Sequence, residues 1–300
     1  MKRVKFITNI AIILLLIGCG KKVEKEQPQS THPVWSPDGT KIAFINNKVG
    51  VENENPVNFE VYTMDADGSE IIRHTFNTAF EADLNWSPEG NKLVVKSYRD
   101  ENDEVYIIDL NTKDQTNITN HISSDGSPVW TTNGELILFQ SERDNEKGEL
   151  YLYSLASKQI SRFTNNDINE YSAVWSPNGD KIAFVSNKDG DDDIYLMDSL
   201  GNNIIQLTNN ELNDWYPQWS PDGSSIIFTY GDWNTDIWEI KIIKIDGSGE
   251  NTLIKQVDSG NASWHPDGTK IAFGSSKFGA GEIFIYDIKT KKESQITKNK

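Results

Sequence analysis

The chain contains the stretch Trp35-Ser36-Pro37-Asp38-Gly39, followed by the apolar run KIAFI from Lys41 to Ile45. The same pattern returns as WSPEG, WTTNG, WSPNG, WSPDG and WHPDG, beginning at Trp86, Trp130, Trp175, Trp219 and Trp264. Successive tryptophans are separated by 51, 44, 45, 44 and 45 residues. A period this regular indicates repeated copies of one structural unit. The 300-residue chain is therefore read as six copies of a unit, preceded by a short N-terminal segment.

Each copy contains the same succession of short apolar runs separated by turns. After the turn and the first run come a polar loop, an acid that opens a second run (EVYTMD from Glu60), and a third run that often closes in Thr (NIT, Asn117 to Thr119). The runs are rich in β-branched and aromatic residues and are bounded by Asn, Asp, Gly and Pro, which predicts strands. Pro-Asp-Gly predicts a tight turn, because proline fixes φ and glycine tolerates positive φ. With the run that leads into the tryptophan, each copy supplies four strands.

One four-stranded sheet cannot bury both of its faces alone, so neighbouring sheets must pack together. Six sheets arranged radially form a β-propeller. We therefore predict an all-β, six-bladed propeller of four-stranded antiparallel blades over residues 31–300, with each blade built from one continuous segment. The aromatic residues that recur in the repeat are expected in the core between blades. They are the six repeat tryptophans together with Phe44, Phe139, Phe184, Phe228 and Phe273.

The repeat resembles the WD40-like (PD40) propeller repeat of the TolB family, from Thr31 to the C-terminus. The resemblance implies a TolB-like fold and a place in the bacterial cell envelope. The TolB proteins of the family are soluble and periplasmic and carry an α/β domain before the propeller. This sequence is expected to depart from both features. Only a short polar segment separates Cys19 from the first predicted strand, and the N-terminus has the pattern of a membrane tether. The resemblance therefore implies the fold and leaves the role open.

The N-terminus has the pattern of a bacterial lipoprotein signal. Lys2, Arg3 and Lys5 precede the apolar run IAIILLLI, which ends in Leu16-Ile17-Gly18-Cys19 and holds the only cysteine of the chain. This pattern is typical of a signal peptide and resembles a lipobox, in which the cysteine becomes the lipidated first residue. We expect a signal peptide at 1–18, a lipidated Cys19 with a flexible tether at 19–30, and attachment to a periplasmic or outer-membrane surface through lipid. The alternative is an ordinary cleaved signal with an incidental cysteine.

The charge of the chain is strongly negative, with 45 acidic and 29 basic residues and a formal net charge of −16. Loss of residues 1–18 removes three basic residues and no acid, which leaves −19. An acidic protein is a poor partner for nucleic acid, so we expect none. In a propeller, the loops between second and third strands share one face with the segments between blades. Nearly all of the net negative charge is predicted on that face, which favours an envelope protein or another basic or cationic ligand as partner.

Four acids stand five residues before a repeat tryptophan, where the first and last copies have Ser30 and Ser259. If the blades superpose, these acids ring one mouth of the central channel and form a candidate site for Ca²⁺ or a basic partner. The alternative is a solvated acidic face that keeps the protein soluble. The four are Glu81, Asp125, Glu170 and Asp214.

Two tryptophans outside the repeat position are candidates for recognition. Trp215 and Trp233 fall in predicted loops of the fifth blade, where an aromatic residue has less packing reason to occur. The alternative is local packing of the loops.

The sequence contains no familiar catalytic motif. The four histidines occupy different positions in their repeats, and GxSxG, Walker A, HExxH and GxGxxG patterns are absent. We therefore favour a lipid-anchored, non-catalytic, monomeric propeller that binds or scaffolds a protein through its acidic face, with no cofactor other than possible Ca²⁺ at the channel mouth. The alternative is a propeller lyase or hydrolase that acts on envelope or polysaccharide substrate with a channel-bound metal.

Overall fold

The computed structural model describes residues 29–47, 59–144, 147–166, 168–234, 237–258 and 260–298. In these ranges the chain forms twenty-four strands in six four-stranded antiparallel sheets, and each sheet is built from four consecutive strands. The prediction of six blades made from continuous segments is confirmed. Residues 1–28, with the expected signal peptide, Cys19 and most of the tether, lie outside the described part. No helix in the described ranges has the length and apolar character needed to cross a membrane.

In each blade the strands follow one another from the centre of the propeller outward. The first three blades are β1 (Ser30–Trp35), β2 (Lys41–Asn46), β3 (Glu60–Asp65) and β4 (Ile72–Arg73); β5 (Glu81–Trp86), β6 (Lys92–Ser97), β7 (Glu104–Asp109) and β8 (Gln115–Asn117); and β9 (Asp125–Trp130), β10 (Leu136–Ser141), β11 (Glu149–Ser154) and β12 (Ile160–Arg162). The last three are β13 (Tyr171–Trp175), β14 (Lys181–Ser186), β15 (Asp193–Asp198) and β16 (Ile205–Gln206); β17 (Asn213–Trp219), β18 (Ser225–Asp232), β19 (Ile237–Lys244) and β20 (Asn251–Lys255); and β21 (Ser263–Trp264), β22 (Lys270–Ser275), β23 (Glu282–Asp287) and β24 (Lys292–Gln295).

The six innermost strands form a closed ring around a central channel. Each innermost strand contacts the next one around the ring, in the order β1, β5, β9, β13, β17 and β21, and β21 contacts β1. The last blade meets the first through packing of β1 on β22, and the Ser30 amide donates to the Gly281 carbonyl oxygen at 2.8 Å. The ring therefore closes by contacts between complete blades.

The core lies between neighbouring blades, and the alternation of side chains along each strand creates it. In β2, Ile42 and Phe44 pack against the sixth blade, whereas Ala43 and Ile45 pack against the second. Each of the six interfaces between blades has one apolar cluster of this kind. A strand that is apolar on both faces is expected when both faces are covered. The five repeat phenylalanines are at most 1% exposed, and the repeat tryptophans are buried or half-buried, which confirms their predicted structural role.

Two polar arrangements recur in most of the blades. In the first turn, the Ser36 hydroxyl donates to Asp38 at 2.6 Å, the Lys41 amide donates to the Ser36 hydroxyl at 2.9 Å, and Gly39 has a φ of 70°. At the other end, the threonine that closes the outermost run accepts a hydrogen bond of 2.8–2.9 Å from the third strand of its blade. These threonines are Thr75, Thr119, Thr164, Thr208 and Thr297.

Candidate functional site

One face of the propeller, which we call the loop face, carries the loops between second and third strands and the segments between blades. In the second blade, Ser97 at the end of β6 pairs with Glu81 at the start of β5 and with Glu104 at the start of β7, so these ends lie together. The Asp125 amide donates to the Asp103 carbonyl oxygen at 2.8 Å, which joins this loop to the next blade. The described residues of the loop face are 74–80, 98–103, 118–124, 142–144, 147–148, 163–166, 168–170, 187–192, 207–212, 233–234, 256–258, 260–262 and 276–281.

The four acids predicted at the channel mouth occupy equivalent positions in their blades, at or beside the start of the innermost strand. Their surroundings differ from the expected open ring, because Glu81, Asp125, Glu170 and Asp214 are each 0% exposed. The carboxylates lie inside the loop-face end of the blades, where neighbouring side chains cover them. The four carboxylates are therefore not exposed to solvent at a channel mouth. Binding of Ca²⁺ or of a partner by these groups stays a prediction.

Arginines neutralise two of these buried acids. The Arg99 Nη2 donates to Glu81 Oε1 at 2.9 Å, and the Arg143 Nη2 lies 3.1 and 3.0 Å from the two oxygens of Asp125. Both arginines stand 18 residues after the acid that they neutralise, two residues past the end of the second strand. Burial nevertheless raises the pKa of Glu81 and of Asp125 above the usual range, although the arginines act in the opposite direction.

The other two acids depend mainly on neutral donors. The Asn166 side-chain amide donates to Glu170 at 2.9 Å, and that of Asn210 donates to Asp214 at 2.7 Å. At the position 18 residues later, the fifth blade has Asp232 in place of a basic residue. Burial, with the nearby Asp193 carboxylate, raises the pKa of Asp214 to about 8.

Asp193 completes a pair of buried acids between the fourth and fifth blades. It is 1% exposed, and burial, with Asp191 nearby, raises its pKa to about 6. The hydroxyl of Thr208 donates to it at 3.2 Å and the Gln206 amide donates at 2.8 Å. At neutral pH the pair with Asp214 therefore retains at least part of a proton in the folded protein.

The two candidate recognition tryptophans have different surroundings. Trp215 lies within strand β17 and not in a loop, because the innermost strand of the fifth blade begins at Asn213; this placement corrects the sequence interpretation. Its indole N–H donates to Asp192 at 2.6 Å, and its ring stacks on Trp238 at 5.5 Å. Trp233 follows β18, is 54% exposed, and meets Trp238 edge-on at 4.6 Å. Trp233 is thus accessible to a partner, whereas Trp215 is held by its hydrogen bond and its stacking contact within the propeller.

Other large apolar side chains are exposed on the same face. Every exposed aromatic residue in the described part of the chain lies on the loop face, together with one isoleucine. These residues are Phe76, Tyr98, Ile122, Trp233 and Phe278. Acids that are also exposed stand among them: Asp100, Glu101, Glu142, Asp144, Asp189 and Glu211. The loop face therefore combines apolar side chains with negative charge.

The central channel holds a second set of side chains that the sequence reasoning missed. The residue three positions before each repeat tryptophan lines a channel cavity of about 50 Å³. In five of the six blades this residue has a left-handed backbone with φ of 48–54°, in a bulge where the innermost strand slips against the second strand. Bulges re-aim side chains and are frequent at functional sites. The six residues, which we call the channel ring, are His32, Asp83, Ser127, Ser172, Tyr216 and Asn261.

Three members of the channel ring, Asp83, His32 and Tyr216, interact electrostatically with the neighbouring Lys96. The Lys96 Nζ lies 3.2 Å from Asp83 Oδ2, and both side chains are largely buried. Burial opposes this ion pair, yet the Lys96 ammonium lowers the pKa of Asp83, and the Asp83 carboxylate raises that of Lys96. Burial lowers the pKa of His32 and raises that of Tyr216 to about 12, so both rings are neutral at neutral pH. The rings meet edge-on with centroids 6.0 Å apart.

The signal that could have identified the channel ring is positional. Its six members share no residue type, and only their common distance from the repeat tryptophan relates them. The histidines do not cluster around His32. His74 Nε2 lies 2.8 Å from Thr63 Oγ1, and the ring centroid of His265 lies 4.7 Å from that of Trp35. Within the described ranges, no group of three or more His, Cys, Asp and Glu side chains is placed to hold a metal ion.

Known proteins share this architecture. A family model described as "TolB beta propeller domain" (PD40) matches residues 81–169 and 144–233, together just over half of the chain. The uncharacterized peptidase YuxL of Bacillus subtilis (strain 168) is 28% identical over 110 residues, which cover 36% of this chain and 16% of the peptidase. The chain therefore spans only a small part of that relative.

Solved structures extend the likeness to nearly the whole described chain. TolB from Acinetobacter baumannii superposes with a TM-score of 0.71 at 18% identity, covering 90% of this chain and 63% of that chain. A putative TolB from Agrobacterium tumefaciens gives 0.67 at 20% identity, covering 80% and 87%. An oligogalacturonate lyase from Vibrio parahaemolyticus gives 0.59 at 11% identity, covering 91% and 79%. At these identities the likeness establishes the fold and not the activity. The family model matches more than half of the chain, and all six blades have the same strand order. The chain therefore belongs to the TolB beta propeller domain family.

Proposed function

We propose that this protein is a non-catalytic binding or scaffold propeller of the bacterial envelope, which docks a basic protein segment on its loop face. The observation that carries the proposal is the coincidence of exposed aromatic residues and exposed acids on this one face. The likeness to TolB structures is compatible with a place in the envelope and supplies no partner.

Exposed aromatic side chains are unfavourable in water and are enriched where a partner will cover them. Phe76, Trp233 and Phe278 are each more than half exposed. Phe278 also lies against the buried Phe284 at 5.8 Å, so its ring is held by the blade rather than extended freely into solvent. A partner could bury these rings with little loss of side-chain entropy.

The acids around these rings determine which kind of partner fits. Like charges on the loop face repel an acidic protein and attract a basic one, mainly by increasing the rate of association. Screening by salt should weaken this attraction, because the acids are exposed. A basic segment with apolar side chains therefore matches the loop face better than a neutral or an acidic one.

Binding can be tested by capture from envelope extracts at low and high salt, with each captured protein identified by mass spectrometry. We expect Trp233→Ala with Phe278→Ala to weaken capture of one basic protein about tenfold or more. The matched control is Leu200→Ala, because Leu200 is 75% exposed in the β15–β16 turn on the opposite face. Equal losses in both variants, or no captured basic protein, would contradict the proposal.

A second pair of variants tests the charge. Glu101→Lys with Glu211→Lys reverses two exposed acids of the loop face, and Glu70→Lys with Glu89→Lys makes the same change in exposed turns of the opposite face. We expect only the loop-face pair to weaken binding and to flatten its salt dependence. The same response from both pairs would mean that overall charge, and not this face, attracts the partner.

We further propose that Cys19 is lipidated and holds the propeller at a membrane surface. The support is the sequence of residues 1–19. Mass spectrometry of the N-terminal peptide should show added lipid, and Cys19→Ser should move the protein from the membrane fraction to the soluble fraction. An unmodified Cys19 in membrane-extracted protein would reject this part of the proposal and leave the loop-face proposal intact.

A propeller lyase or hydrolase is the second candidate function. The channel ring and the neighbouring Lys96 favour it, because a neutral His32 near Tyr216 and Lys96 can accept a proton from a bound molecule. Elemental analysis and a melting temperature measured with and without chelator test the metal-dependent form of this candidate. Stoichiometric transition metal with chelator-sensitive stability would favour the enzyme over the binding protein.

A further inference from the structure

We propose that the channel ring is a binding site for a primary ammonium group, and that its occupant is one lysine side chain of the partner segment, which enters the channel from the loop face. This inference rests on the proposed function for its partner. The site itself can be tested without that partner.

The first observation is a buried acceptor without a donor. The side-chain oxygen Oδ1 of Asn261 has no hydrogen-bond partner, although Asn261 is only 9% exposed and lines the cavity. A buried carbonyl oxygen left unpaired is unfavourable by about 1–3 kcal/mol. The ring therefore lacks an N–H or O–H donor at this point, and a ligand with such a donor would satisfy it.

The second observation is the set of other groups that line the same cavity. The hydroxyls of Ser127 and Ser172, the phenol of Tyr216 and the neutral imidazole of His32 can all accept a hydrogen bond. The His32 Nδ1 lies 2.9 Å from Thr31 Oγ1, which leaves Nε2 as the ring nitrogen without that contact. An ammonium group has three donors and no acceptor, so it suits a cavity rich in acceptors.

Charge excludes an anion and favours a cation. Lys96 supplies one positive charge and is paired to Asp83, while Asp103 and Asp258 are close enough to influence the titration of Lys96 and His32. With His32 neutral, these four groups carry a net negative charge. Asp103 and Asp258 belong to the loop face, so a cation arriving there passes negative groups before it reaches the ring.

The size of the cavity suits this ligand. A cavity of about 50 Å³ has room for an ammonium group with its last methylene, since about 10–15 Å³ of such space holds one water. A lysine side chain is long and unbranched and can reach down a narrow channel while its backbone stays on the loop face. The strained left-handed backbone at five ring positions is consistent with a shape selected for binding rather than for stability.

The test uses two small probes and the full-length protein. Nα-acetyl-lysine amide carries the ammonium, and Nα,Nε-diacetyl-lysine amide has the same stem without the charge. We expect the first probe to shift the His32 ring resonances in an NMR titration near pH 7, and the second to leave them unchanged. His32 is assigned by the loss of its signals in His32→Gln, and His74, His121 and His265 serve as internal controls.

Two variants of Asn261 sharpen the result. Asn261→Asp adds a carboxylate to the ring and should tighten binding of the charged probe about tenfold, whereas Asn261→Ala removes the acceptor and should weaken it about tenfold. The control for added charge is Asn178→Asp, in an exposed turn on the opposite face, which should leave the affinity unchanged.

Equal shifts with both probes, no shift at the solubility limit of the charged probe, or indifference to Asn261→Asp would overturn the assignment. If these failures occur while loop-face variants still abolish partner capture, the ammonium site is wrong and the proposed function stands. If the probe binds but no basic partner is captured, the site stands and the proposed function fails.

Discussion

The Nη2 of Arg143 lies 3.1 and 3.0 Å from the two oxygens of the Asp125 carboxylate, in the interior of the third blade. Asp125 is 0% exposed, and the guanidinium also lies over the rings of Phe139 and Tyr151, 5.4 and 5.0 Å from their centroids. The arginine thus joins the start of the innermost strand to the aromatic core of the blade. Its loss would leave a buried carboxylate without its cation.

We expect Arg143→Met to lower the free energy of unfolding by about 3–5 kcal/mol, because removal of one partner from a buried ion pair leaves the other charge uncompensated. Urea denaturation at neutral pH measures the change. Lys41→Met is the control, since Lys41 pairs with Asp65 at 2.6 Å where both side chains are more than a third exposed, and such pairs contribute about 0–1 kcal/mol. Equal effects of the two variants would show that Asp125 is hydrated or protonated without Arg143.

The sequence predicted the position of Asp125 and its three equivalents but not their burial. The spacing from the tryptophan places all four at the start of an innermost strand, and superposition of the repeats is enough for that step. The groups that cover each acid come from later in the chain, such as Arg99 and Arg143 at 18 residues, or from four residues before it, such as Asn166 and Asn210. An acid is assigned to solvent by default, because burial depends on these tertiary partners.

The buried pair of Asp193 and Asp214 predicts a dependence of stability on pH. Their pKa values in the folded protein are about 6 and about 8, above the value of about 3.9 in an unfolded chain. The folded state therefore binds more protons than the unfolded state between these limits. The stabilisation is fully present below about pH 4 and is lost as the pH rises through about 8.

Asp214→Asn should remove a large part of this loss, because asparagine keeps the shape of the protonated acid and has no charge. Urea denaturation between about pH 5 and pH 9 should show a shallower fall in stability for the variant and a higher stability than the parent at the alkaline end. Asp67→Asn, in an exposed turn, should leave the pH profile parallel to that of the parent. A parallel profile for Asp214→Asn as well would mean that Asp214 is ionised in the folded protein at neutral pH.

The threonine that closes five of the six repeats leads to a prediction about blade stability. Thr119 Oγ1 accepts the Val105 amide at 2.9 Å and donates to the Glu104 carboxylate, and the group is buried. Thr119→Val should cost about 1–3 kcal/mol, because it leaves a buried amide and a buried carboxylate oxygen unpaired in a side chain of nearly the same size. Thr116→Val, in the exposed strand β8, is the control and should change the stability by less than about 0.5 kcal/mol.

The channel ring shows where sequence reasoning fails in a repeat protein. Recurring residue types revealed the tryptophans, the turns and the closing threonines, all of which support the fold. The ring positions vary from His32 to Asp83 to Tyr216, because the backbone bulge that presents them is repeated while their side chains are not. Trp215 was assigned to a loop, although superposition of the repeats could have placed it. Its equivalents four residues before the repeat tryptophan also lie in innermost strands: Thr31, Ala82, Gly126 and Tyr171.

The left-handed backbone of the ring can itself be tested at Ser127, where φ is 48°. A β-branched side chain is unfavourable in this conformation, so Ser127→Val should lower the free energy of unfolding by about 1–2 kcal/mol, whereas Ser127→Gly should be close to neutral. Ser124→Val makes the same chemical change at a nearby exposed position without a positive φ and should have little effect. Thermal and urea unfolding would measure all three. If Ser127→Val is as stable as Ser124→Val, the bulge relaxes on substitution, and the ring is a flexible lining rather than a fixed set of presented side chains.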